Sequence, residues 1–165
     1  MQEKIKKPTN LHKLVILARK NADFFQDLDR RAYARITKGD QRGELYPLDS
    51  SCFENWLSAI NFKVHDEVAN SKLKLDAREH LEVESRLSGK NYNVGLRVIS
   101  NEEFIEIDLG DQDWKSVQIT KDGWRVRAHK NFFYRNNSIK ALPIPCKDKL
   151  DDDWVESIFN ISGNN

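Results

Sequence analysis

Residues 107–126 read IDLGDQDWKSVQITKDGWRV. Three acids, Asp108, Asp111 and Asp113, crowd its first half, and Lys115 follows two residues after the last. Either the acids converge on a metal, as in a nuclease, or they stand on a strand and in the turn of an antiparallel sheet. The apolar residues around them test the second reading, because a one-residue slip in register flips every side chain to the other face. Pairing Leu109 with Lys115 sets Ile107 opposite Val117 and Ile105 opposite Ile119. Pairing Ile119 with Trp124 sets Val117 opposite Val126. Pairing Val98 with Ile105 sets Leu96 opposite Ile107 and Val94 opposite Leu109. All three registers gather the apolar set on one face, and Asp122-Gly123 supplies the permissive backbone of the last turn. The stretch therefore predicts a four-stranded antiparallel meander whose apolar face packs on helices.

The same registers define the opposite face. One row reads Arg97, Glu106, Gln118, Arg125 and the next Gly95, Asp108, Ser116, Arg127. Cross-strand pairs of opposite charge are ordinary sheet stabilisers worth about 0.2–1 kcal/mol each. Asp108 has Arg127 within diagonal reach, and Asp111 and Asp113 fall in a turn.

Upstream, the period is helical. Leu11, Leu14, Val15, Ala18, Ala22 and Phe25 form one stripe over 9–26, with Thr9 or Asn10 as cap, and Asp27 to Arg30 break it. AYARI (32–36) and ELYPL (44–48) form a short hairpin around TKGDQRG, with Pro47 demanding an edge because it has no N–H to donate. A second helix starts at Ser50 or Ser51, with Glu54 reaching back as in a capping box. It buries Phe53, Trp56, Leu57 and Ile60. A third helix runs 71–87 from a Ser71 cap, with Leu73, Ala77, Leu81 and Leu87 inward, and Gly89 ends it. The expected fold is α+β: N-terminal helix, short β-hairpin, two helices, then the meander. Residues 1–145 form one domain, of which 1–8 is a basic tail, and 146–165 begins something else.

Composition narrows the function. The chain of 165 residues carries a net charge of +1, so any polyanion surface must be local. Cys52 and Cys146 lack zinc spacing, and LVILA (14–18) is too short for a signal or a membrane span, which points to a reduced, cytoplasmic protein with no membrane contact. His12, His65, His80 and His129 are scattered and make no nucleophile system. No GxxxxGKS/T loop occurs, and no cofactor is implied. Two site hypotheses remain. Asp108, Asp113 and Lys115 superficially match the carboxylate-x-Lys ending of restriction-type nucleases, with too short a spacing between the acids. WRVRAHKNFFYR (124–135) interleaves cations with aromatics, so Arg125, Arg127, Lys130, Tyr134 and Arg135 are candidates for contacting single-stranded DNA.

KLVILARKNADFFQDLDRRAYARI, YPLDSSCFENWL, FIEIDLGDQDWKSVQITKDGWRV and ALPIP follow one another in this order. Together they resemble the region directly before the P-loop ATPase module in bacterial mobile-element proteins related to phage and plasmid primase–helicases. The resemblance covers residues 13–160, and DDDWVESIF looks like the first helix of that module. It implies a non-enzymatic accessory domain in mobile-element replication that contacts DNA or a helicase/ATPase partner. It attaches no catalytic role to the Asp108–Asp113 run. With no Walker motif before Asn165, the chain is expected to be a truncated or free-standing version.

Overall fold

The computed structural model describes residues 8–129, 131–136 and 138–146. The fold is α+β, with three helices, a hairpin and a four-stranded antiparallel meander, as the sequence implies. Helix α1 (Asn10–Asn21) is capped by Thr9, whose hydroxyl accepts the His12 N–H at 3.2 Å. It stops five residues before the expected end, and Ala22–Asp27 forms strand β1. The reason is double burial. Phe24 packs toward the helices while Phe25 packs on the other face of the sheet. A strand covered on both faces shows no alternation, so Ala22 and Phe25 fitted a helical stripe equally well.

The residues that broke that stripe make the β1–β2 turn. Asp27 Oδ1 accepts the N–H groups of Asp29 and Arg31 at 2.9 and 2.8 Å, and Arg30 takes φ 68°. Strand β2 (Ala32–Ile36) then pairs with β3 (Leu45–Pro47), the expected hairpin. The sheet order β3-β2-β1-β4 leaves Pro47 on an edge, where its missing donor costs nothing. Strand β4 is Asn91–Tyr92 and runs parallel to β1.

Helix α2 (Ser51–His65) is capped by Ser50, which accepts the Phe53 N–H. Glu54 does not close a capping box; its carboxylate lies 3.7 Å from Lys74 and 3.8 Å from Arg78 on helix α3 (Ser71–Leu87). Asn70, not Ser71, caps α3, and Leu87 points to solvent. Gly89 takes the left-handed φ expected of the residue ending that helix. Leu14, Ala18, Phe53, Leu57, Ala77 and Leu81 of the three helices meet Ala22, Phe24, Ala34 and Ile36 of the first sheet in one core. Burying each large side chain is worth about 1.5–3 kcal/mol. Among the described residues, no helix is long and apolar enough to cross a membrane.

The other face of the first sheet carries Phe25, Tyr33 and Leu45, against which Val94, Phe132 and Tyr134 pack. Val94 therefore does not belong to the meander. With Gly95 it forms strand β5, parallel to β10 (Phe132–Phe133). A Cβ at Gly95 would lie 2.5 Å from the Ile99 side chain and 2.8 Å from the Val98 carbonyl oxygen, so only glycine lets the chain fold back this closely on Val98 and Ile99.

The meander comprises β6 (Val98–Ser100), β7 (Phe104–Asp108), β8 (Lys115–Thr120) and β9 (Gly123–Ala128), in that spatial order. The β7–β8 and β8–β9 registers are those derived from sequence. The β6–β7 register is shifted by two, with Val98 opposite Ile107, because Asn101 closes a tight turn by accepting the N–H groups of Glu103 and Phe104. A shift of two keeps the faces.

What the sequence did not reveal is which face is inside. Ile105 is 43% exposed and Val98 52%, whereas Glu106, Asp108 and Ser116 are fully buried. The meander turns its polar face inward, and none of its residues joins the helix core. The helices cover the first sheet instead.

Phe24→Ala and Phe25→Ala should each cost about 3–5 kcal/mol in urea unfolding, since both rings are buried on opposite faces of β1. A loss below about 1 kcal/mol at either would mean that one ring faces water.

Candidate functional site in the buried polar layer

Strand alternation places Glu106 and Asp108 of β7, Ser116 and Gln118 of β8, and Arg125 and Arg127 of β9 on the inner face. Above them lie residues 129 and 131–135, which bring His129, Asn131 and Arg135. Ionised carboxylates survive burial only when paired and hydrogen-bonded. Each of the two has its own set of donors. Glu106 accepts from the Ser116 hydroxyl and the Asn131 amide, and Arg127 Nη2 stands 3.4 Å away. Asp108 receives Arg135 in a fork, Nε at 2.8 Å and Nη2 at 2.5 Å, and also accepts the Gly110 N–H.

Arg135 does more than pair. Its Nη1 donates to the Asp111 carbonyl at 2.6 Å, and its guanidinium lies 3.8 Å from the centre of the Trp114 ring. Trp114 itself adopts φ 54°, and its ring rests on Gly43, where a Cβ would come within 3.2 Å. Arg135 thus ties β7, the β7–β8 turn and, through Trp114, the β2–β3 loop. A planar fork stacked on an aromatic ring is a task that lysine cannot perform.

His129 sits between Trp114 and Phe133, ring centres 5.3 and 5.5 Å away, with Nδ1 on the Asn131 carbonyl. Burial pushes its pKa below the ordinary 6.5, against the opposing pull of that hydrogen bond and of Asp108. Beside this layer lies a polar cleft of about 450 Å³ among Arg42, Glu44, Asp111, Trp114 and Arg135. Burial raises the Glu44 carboxyl there, and Arg135 opposes the rise.

Several expectations change. Asp108 pairs with Arg135 and not with Arg127, which faces Glu106 instead. Arg97 donates to the backbone carbonyls of Asp108 and Lys140, not to a carboxylate. The DNA candidates do not share one outer surface. The Arg135 side chain is only 13% exposed and that of Arg127 23%. Tyr134 packs against the Phe25, Tyr33 and Leu45 cluster. Arg125 is exposed, with its guanidinium on Gln118 Oε1 at 2.9 Å. Lys130 lies outside the described residues. Nor do the nuclease candidates converge. Asp108 is buried, whereas Asp113 and Lys115 pair with each other at 2.6 Å on the surface, lowering the acid and raising the base. Asp111 accepts the Lys115 N–H at 2.8 Å, the turn role that its position implied. Among the described residues, no three His, Cys, Asp or Glu side chains are grouped to hold a metal. Trp114 and Asn131 have no role in the sequence reading, and His129 is set aside there as one of four scattered histidines. They lie in irregular connections, where no periodicity marks a side chain as inward.

The outer face completes the picture. Ile107, Val117, Ile119 and Trp124 line an apolar groove of about 460 Å³, bordered by Leu142 and Pro143 to Cys146. The Leu142 N–H anchors that border to the Leu109 carbonyl at 2.7 Å. Compared with protein-family models, with curated proteins and with solved structures, the chain matches none.

Arg135→Ala leaves Asp108 buried without its partner and should cost about 3–5 kcal/mol in chemical denaturation, while Asp113→Ala leaves the unfolding midpoint unchanged. Equal effects would contradict the assignment of inner and outer acids. For His129 the sign follows from its lowered pKa. Protons bind the unfolded imidazole more readily, so stability is intact above pH 6.5 and declines as pH falls below it. His129→Gln should flatten that decline in thermal melts between about pH 7 and 5.

Proposed function

We propose that this chain is a non-catalytic accessory domain of a mobile-element replication protein, and that it acts by protein contact through the outer face of the meander. The partner class is the helicase or P-loop ATPase module that the sequence resemblance implies. One observation carries the reading: the sheet keeps its charged face inside and leaves Val98, Ile105 and Ile119 exposed. A contiguous apolar face is the usual mark of a protein contact, whereas a nucleic-acid surface needs free cations. Arg127 and Arg135 instead neutralise Glu106 and Asp108. The free thiols Cys52 and Cys146 fit a reducing, cytoplasmic setting.

Fluorescence anisotropy with a labelled single-stranded oligonucleotide at low salt tests this. The expected result is no saturable binding that Arg125→Ala removes. Saturable, salt-sensitive binding lost in that variant would replace protein contact by DNA contact. Incubation with magnesium or manganese should give no cleavage dependent on Asp113, and cleavage abolished by Asp113→Ala would establish a nuclease.

A further inference from the structure

An open sheet edge invites another chain, and proteins blunt their edges with short strands, bulges or proline. Here β3 and β6 have three residues each, β4, β5 and β10 have two, and β3 ends on Pro47. Strand β9 differs. Its six residues pair with β8 without a bulge, and among the described residues it has no neighbour on its other side. Successive residues of a strand aim their backbone groups at opposite neighbours. The Leu109 N–H donates to the Lys115 carbonyl at 3.0 Å, so Lys115, Val117 and Ile119 of β8 bond to β7. Ser116, Gln118 and Thr120 therefore bond to Arg127, Arg125 and Gly123 of β9. The His129 N–H on the Trp114 carbonyl, at 3.1 Å, continues that alternation. The N–H and C=O groups of Trp124, Val126 and Ala128 are left pointing out of the sheet, and no other described element bonds to them.

The two sides of this edge differ in chemistry. Trp124 and Val126 make one side apolar. On the other, Arg125 is exposed and its guanidinium bonds only to the neutral Gln118 amide. Lys121 is exposed beside it, and Asp122 is the one acid of the hairpin. A polar cleft of about 310 Å³ among Thr120, Asp122, Trp124 and Arg125 opens at the hairpin end of the edge. We propose that the open edge of β9 takes up an extended segment of a partner protein as an added strand, with acidic residues on the Arg125 side and apolar residues on the side of Trp124 and Val126. Main-chain bonds to Trp124, Val126 and Ala128 supply the affinity, and the alternate side chains supply the selectivity. A second copy of this chain is the wrong partner. Two-fold pairing of β9 centred on Val126 sets Arg125 against Arg127, and like charges directly opposite destabilise. The edge is separate from the outer face, so a strand seated on it leaves the apolar groove open. It adds a contact to the one proposed above and does not depend on it.

The full-length protein is titrated with a synthetic peptide of alternating valine and glutamate, and backbone amide resonances and hydrogen exchange are followed. Without peptide, the amides of Trp124, Val126 and Ala128 should exchange fast and those of Arg125 and Arg127 slowly. The peptide should shift the first three saturably and slow their exchange. A valine–lysine peptide should bind about fivefold more weakly, and Arg125→Glu should reverse that preference. Val126→Pro removes one outward donor and no bond to β8, so it should stay folded and lose the peptide. Arg125→Glu carries the test alone if Val126→Pro does not fold. No saturable shift with the glutamate peptide overturns the proposal, as does binding that neither variant alters. Slow exchange of the three outward amides without peptide, unchanged on dilution, overturns it by showing the edge already covered. Slow exchange that grows with protein concentration overturns it too, and assigns the edge to a second copy.

Discussion

The fork between Arg135 and Asp108 is the constraint on which the second half of this molecule depends. A carboxylate with no exposed surface sits in the middle of a sheet strand, and only a cation brought from elsewhere in the chain permits it. The partner arrives from residue 135, after the polypeptide has completed the meander and crossed back as β10. The pair therefore closes the fold over the inner face of the sheet. Glu106 with Arg127, Asn131 and Ser116 repeats the arrangement one pair of residues along the strand. Once both acids are satisfied inside, the apolar residues that alternate with them have nowhere to go but outward.

Much of this architecture was legible. The β2–β3 hairpin, α2, α3 and two of the three meander registers followed from turn chemistry and from side-chain period, both of which are local. Ala22–Asp27 was not, because a strand buried on both faces carries the apolar density of a helix. The two-residue slip between β6 and β7 came from Asn101, whose side chain tightens the turn. The orientation of the meander was beyond reach for a different reason. Alternation separates two faces and says nothing about which one is covered; that is decided by Asn131, His129 and Arg135, over 20 residues away from the acids. The acid-arginine pattern was visible, and its bland interpretation as sheet stabilisation stands, but as an interior feature and with different partners.

This orientation also shapes the functional reading. Arg127 and Arg135, which looked available for phosphates, are consumed in holding the interior together. Of the three acids that looked available for a metal, Asp108 is buried, whereas Asp111 and Asp113 belong to the turn. The apolar groove remains as the feature with chemistry still unspent. The meander hides Glu106 and Asp108 and leaves aliphatic residues of its strands exposed on the other face.

The central claim is that the charged face of the meander is the inner one, and a double-mutant cycle tests it most directly. Asp108→Asn, Arg135→Met and the combined variant are compared with the unaltered chain by urea unfolding. The buried fork predicts a coupling energy of about 2 kcal/mol or more, with the double variant more stable than the sum of the single losses allows. A coupling below about 0.5 kcal/mol, the behaviour of a solvated surface pair, would put this face in water and contradict the account.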